Sequence, residues 1–173
     1  EVKIVKDDDK KNINSVAKAY LIIDGKEILC EGEGNGPVNA LDQAIRSNLD
    51  KVGKWEEAKT LFLKLLDKNP KDTYTLNYLS YKLALREQEL ELALDLIKKA
   101  LVLDPENGYF LDTLGWVEFK RKNYNTAVYV LEKSVSILPK SSEVIDHLGD
   151  CYLMLNRKKE AIFEWNKALR YET

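Results

Sequence analysis

The chain is poor in the residues that build metal sites and disulfide frameworks. Two cysteines, Cys30 and Cys151, and one histidine, His147, are spread over 173 residues, too few for a disulfide scaffold or a zinc site. No metal and no cofactor is expected, and both thiols are read as buried and free. No apolar run approaches the length of a membrane span, and no basic start leads into an apolar core with a cleavage site. The expected location is the cytoplasm, or the envelope if a leader once preceded Glu1. Lys and Arg number 27 against 29 Asp and Glu, leaving a net charge of −2, so no global field draws in nucleic acid or an anionic membrane. No nucleophile, base and orienting third group stand together, so an enzyme is not expected. Ser141-Ser142 reads as a helix cap. His147, beside Asp146 and able to share a helical face with Asp150, reads as a salt-linked surface residue.

What the chain does have is a period. Ala58, Ala93, Ala127 and Ala161 recur about every 34 residues, as do Pro70, Pro105 and Pro139, with Thr173 where a further proline would fall. Leu79-Ser80, Leu114-Gly115 and Leu148-Gly149 keep the same beat. Small residues at such positions let two antiparallel helices approach closely, while large apolar residues fill the space between units. The clearest unit, Gly108 to Pro139, carries Leu114, Gly115, Phe119, Tyr124, Ala127 and Pro139; the next carries Leu148, Gly149, Tyr152, Ala161, Trp165 and Ala168. From Lys51 to Thr173 this pattern resembles the tetratricopeptide repeat (TPR), and about three and a half repeats are implied. The second unit has one extra residue between Arg86 and Leu90, which a turn absorbs. The runs Asn77 to Tyr81, Asp112 to Trp116 and Asp146 to Asp150 also resemble bacterial members of that family, so a bacterial source is expected.

The first fifty residues read differently. Val2 to Val5 alternates as a short strand, and Ser15 to Ile23 is β-prone. Asp24-Gly25 suits a two-residue hairpin turn into a strand from Lys26 to Glu31. Gly32, Gly34 and Gly36 then permit a tight path into a helix that starts at Pro37, with Val38, Leu41, Ile45 and Leu49 on one face. This β-β-β-α stretch, with its Gly34-Asn35-Gly36-Pro37-Val38-Asn39-Ala40 run, resembles one unit of the regulatory domain of the isopropylmalate and citramalate synthases. Asn39 stands where that family commonly has Asp. The resemblance implies a possible small-ligand loop at Gly34, Asn35, Gly36, Pro37 and Val38, and hence amino-acid sensing; the plainer reading is a strand-to-helix turn. Only one unit is present and the catalytic barrel is absent, so synthase activity is not implied.

The expected fold class is α+β: a three-stranded antiparallel sheet with a helix that continues into the TPR solenoid, divided into residues 1–50 and 51–173. Val52-Gly53 to Ala58 matches a repeat's turn and second helix, so the helix over 37–51 has to serve both parts, with Arg46 at the glycine position. A seam inside a helix suggests an engineered or recombined chimera, and a chimera without a biological function is the alternative to an interaction module.

In the resembled repeat family the first helices line the concave side. By position the peptide-binding groove is Tyr74, Asn77 and Tyr81, then Tyr109, Asp112, Trp116, Phe119 and Lys120, then Glu143, Asp146 and Asp150. The set lacks the Lys/Asn/Arg clamp that grips acidic tails, so a peptide with apolar anchors and a basic residue fits better. The expected role is a protein or peptide interaction module. A homodimer through the amino-terminal sheet is also expected, because Val16, Tyr20 and Ile22 with Lys18 make one largely apolar face, and Ala17, Ala19, Leu21 and Ile23 the other.

Overall fold

The structure, a computed structural model, describes residues 2–3, 15–23, 26–34 and 53–172. It divides into two compact units, Glu1–Leu63 and Lys64–Thr173. In the first, strands β1 (Val2–Lys3), β2 (Ser15–Ile23) and β3 (Lys26–Gly34) pair antiparallel in chain order. Tyr20 faces Leu29 across the β2–β3 pair, and Ser15 faces Gly34. Strand β3 thus runs three residues past its expected end, with Gly32 and Gly34 inside the ladder. The Asp24-Gly25 turn, the loop residues Asn35 to Val38 and the helix expected over 37–51, Arg46 included, lie outside the described residues.

Among the described residues seven helices follow: α1 (Trp55–Lys68), α2 (Thr73–Leu85), α3 (Leu90–Leu103), α4 (Gly108–Lys120), α5 (Tyr124–Ile137), α6 (Ser142–Met154) and α7 (Lys158–Ala168). Their spacing is set by repeated local chemistry. Gly53, Glu87, Lys122 and Asn156, spaced 34, 35 and 34 residues apart, all take positive φ at the turn before a second helix. The extra residue of the second unit gives its turn another left-handed residue, Glu89, and the helix that follows keeps its place. Asp72 caps α2 by accepting from the Thr75 amide, and Asn107 caps α4 by accepting from those of Tyr109 and Phe110. Ser141 occupies the cap position of α6 without a side-chain bond.

Helices α2 and α3, α4 and α5, and α6 and α7 form three hairpins, and the crossing point of each needs a small residue. A Cβ on Gly115 would lie 2.4 Å from Leu131 Cγ, and one on Gly149 2.5 Å from Trp165 Nε1. The second unit has Ser80 there, fully buried, and its hydroxyl donates to the Ala93 carbonyl at 2.8 Å. First helices also touch one another, α2 against α4 and α4 against α6. Each of α3 and α5 contacts the first helix of its own hairpin and of the next. Two layers result in the unit Lys64–Thr173, one of neighbouring first helices and one of separated second helices.

The α+β class expected from the sequence is corrected by this arrangement. An α+β domain buries a sheet face and helices in one core, whereas the buried apolar side chains described here all lie on helices, from Trp55 to Ala168. The fold is a helical solenoid. Alternation with period two reports local strand pairing, and it carries no information about whether that strand shares a core with distant helices. Leu76, Leu79, Leu83, Ile97, Val117, Leu131 and Ile145 are fully buried. Cys151 is a free thiol in this core; burial, followed by the charges of Asp150 and Asp112, pushes it up to about 12.

Candidate peptide-binding face

The face proper to the first-helix layer is built from α2, α4 and α6, and the eleven positions expected there differ sharply in burial. Tyr74 and Tyr109 stand exposed, as do Glu143 and Asp146. Asn77, Tyr81, Phe119, Lys120 and Asp150 are half-buried. Asp112 and Trp116 are buried, with only 6% and 9% of their surface exposed. The face therefore has a floor and a rim.

Aromatic stacking makes the floor. The Trp116 ring lies parallel to Phe119 with centroids 4.8 Å apart and, on its other side, against His147 at 4.1 Å. Phe119 meets Tyr124 edge-on and packs on the core between α5 and α7. Its position on the face is thus that of a spacer between repeats. Lys120 holds its ammonium 5.1 Å from the Trp116 centroid and pairs with Glu87 at 3.0 Å, an arrangement in which the ring quadrupole and a carboxylate share one cation.

The reading of His147 as a surface residue is wrong. It is 7% exposed, and its Nδ1 lies 2.9 Å from Oδ1 of Asp112, one helix away. Neither Asp146 nor Asp150, its neighbours on α6, takes that bond. Burial works against the charged imidazole, but the hydrogen bond and charge of Asp112 outweigh it, so His147 titrates above its ordinary value. The signal was present in the sequence as Asp112 and His147 standing one repeat plus one residue apart, which places them on facing first helices.

A second tie skips a repeat. The Tyr81 hydroxyl on α2 donates to Glu143 on α6 at 2.9 Å, and burial together with that bond raises its pKa. Asp150 is raised by burial first and by Asp146 next, with His147 and Lys120 pulling the other way. Two polar atoms of this layer, Asn77 Oδ1 and the Trp116 indole nitrogen, are buried without a hydrogen-bond partner. The layer can thus offer a donor, an acceptor, aromatic surface and an excess of carboxylates. Among the described residues no cluster of His, Cys, Asp and Glu has the make-up of a metal site, and no described helix is long and apolar enough to cross a membrane. Of the possible small-ligand loop only Gly34, the last residue of β3, is described.

Residues 1–67 match the family described as the LeuA allosteric (dimerisation) domain, a match that extends beyond Lys51 into α1. The chain is 31% identical over 121 residues to the TPR repeat-containing protein MJ1428 of Methanocaldococcus jannaschii, covering 68% of this chain and 20% of that protein. It is 31% identical over 86 residues to the TPR repeat-containing protein PA4667 of Pseudomonas aeruginosa, covering 50% of this chain and 14% of that one. The chain therefore spans a fifth or less of the length of these relatives. Among solved structures, MamA of Desulfovibrio magneticus superposes with a TM-score of 0.64 at 19% identity, over 73% of this chain and 71% of that one, which is a likeness of fold. Pseudomonas aeruginosa pilF superposes with a TM-score of 0.64 at 25% identity, over 74% and 58%.

Proposed function

Because the chain is a tetratricopeptide-repeat protein with a LeuA-like segment at its start, we propose that it is a protein-interaction scaffold with no catalytic role of its own. The observation that carries this reading is the continuity of the first-helix layer. Tyr74 and Tyr109 stand exposed on the layer that also carries the packed aromatic floor and the acids of α6. Rigid aromatic rings that are already solvated at one edge bind at small entropic cost, and carboxylates around them select positive partners. The bound segment is a peptide with apolar anchors and a basic residue.

The LeuA-like segment supplies the second half of the proposal, a homodimer in which two copies present two such faces. Its support is the dimerisation family matched over residues 1–67. Light scattering coupled to gel filtration checks this half, which predicts twice the chain mass and conversion to monomer by Tyr20→Glu. A monomer at about 100 times a micromolar Kd would count against it.

Peptide arrays that vary charge and aromatic content test the first half. The double variant Tyr74→Ala, Tyr109→Ala is expected to lose about tenfold or more in affinity for basic-apolar peptides at an unchanged melting temperature. Equal binding by parent and variant would refute the assignment of the face.

A further inference from the structure

The histidine in the floor is held in surroundings that are mostly acidic. Asp112 on α4 receives its Nδ1, and Glu143 and Asp146 act on it from its own helix. Asp150, also on α6, is coupled to it. From α2 comes Tyr81, whose ring centroid is 6.4 Å away and whose hydroxyl is already held by Glu143. The cation nearest these groups in the described interactions is Lys120, which is shared with Glu87 and with the Trp116 ring. The imidazole proton is therefore a main internal counter-charge of this floor. Beside it, Trp116 keeps an indole N–H with no acceptor in a ring that is almost wholly buried. A buried donor in that state gains from any ligand that brings a carbonyl to it.

We propose that the floor formed by Asp112, Trp116 and His147 with Glu143, Asp146 and Asp150 is a subsite for a guanidinium or ammonium side chain of the bound segment, and that the arriving cation lowers the proton occupancy of His147. The proposal rests on the peptide-binding reading above and names the chemistry of one position in the ligand. A permanent cation placed against the exposed carboxylates of Glu143 and Asp146 makes the imidazolium redundant and repels it. The proton leaves from Nε2 to water, while Nδ1 keeps its hydrogen and goes on donating to Asp112. A carbonyl flanking the cationic residue takes the Trp116 N–H. Because coupling between two ligands is reciprocal, the proton and the cation weaken each other equally. At the spacings of this face the coupling is about half a pH unit, or about threefold in affinity.

With a single histidine in the chain, the imidazole proton resonances of the full-length protein report this site alone. They are followed from about pH 5 to about pH 9 in three samples: the protein by itself, with N-acetyl-arginine amide, and with N-acetyl-citrulline amide, which has nearly the same shape and no charge. The arginine compound is expected to lower the His147 midpoint by about half a unit, and the citrulline compound to leave it in place. Glu143→Gln with Asp146→Asn, both at exposed positions, is expected to abolish the shift. A midpoint that stays fixed, or that moves equally with both compounds, overturns the proposal. If the Trp116 indole resonance responds to the arginine compound while the midpoint stays fixed, the proton exchange is wrong and the peptide-binding face stands. If neither responds, the subsite is wrong, and the face is judged separately by the Tyr74 and Tyr109 variants.

Discussion

Tyr109 on α4 and Tyr129 on α5 are equally exposed, at 60% and 59%, yet they stand in different company. Tyr109 belongs to the layer of first helices, which touch one another, so its helix has α2 on one side and α6, with its acids, on the other. Tyr129 belongs to the layer of second helices, which are held apart by the first helices between them, and its described contact is a lysine of its own helix, Lys133, 4.4 Å from the ring centroid. Exposed apolar residues are common on any protein surface, and singly they mean little. What separates the two tyrosines is adjacency. Layer geometry turns scattered side chains into a face on one side and leaves them scattered on the other.

The largest effect expected from probing this contrast lies in the floor. Trp116→Ala empties a stack made with Phe119 and His147 and is expected to cost about 3 to 5 kcal/mol, read by denaturant unfolding. A variant as stable as the parent would mean that Trp116 is rim and not floor. Next comes the seam between the layers. Gly115→Ala forces a methyl against the fully buried Leu131, at an expected cost of about 1 to 3 kcal/mol, and an unchanged melting temperature would show that α4 and α5 sit farther apart than described.

The third effect depends on pH. His147 titrates above its ordinary value of 6.5 in the folded chain, so its contribution is complete below about pH 6.5 and is lost as pH rises through the folded value. Compared with His147→Gln, the parent should lose stability on going from acid to alkaline pH, and parallel stability curves for the two would remove the Asp112 pairing from the account. The smallest effects are at the rim. Tyr109→Ala and Tyr129→Ala should each stay within about 0.5 kcal/mol of the parent in stability, while only the first reduces peptide affinity.

The solenoid was readable because its constraints repeat. Small residues at Ser80, Gly115 and Gly149 recur at about one period for a local steric reason, whereas of the left-handed turn positions only Gly53 declares itself by residue type. The burial of His147 was not readable from its neighbours, since its partner is 35 residues away and local spacing sees only Asp146 and Asp150. Counting by repeat would have found it. Trp116 shows the same limit, because position in a repeat identifies the layer but not the depth, which depends on the side chain brought from the next helix. The sheet misled for the converse reason. The β-prone composition of Ser15 to Ile23 was sound evidence for a paired strand, but fold class is decided by where side chains are buried together, and those described are buried between helices.

The account's central claim is that binding belongs to the first-helix layer, and photo-crosslinking tests it most directly. A benzophenone amino acid is placed at Tyr109 in one sample and at Tyr129 in another, two positions matched in exposure. After irradiation in extract of the source cells, the account predicts that discrete adducts form from position 109, are competed by basic-apolar peptides, and are absent from position 129. Adducts from 129 that equal or exceed those from 109 would contradict it.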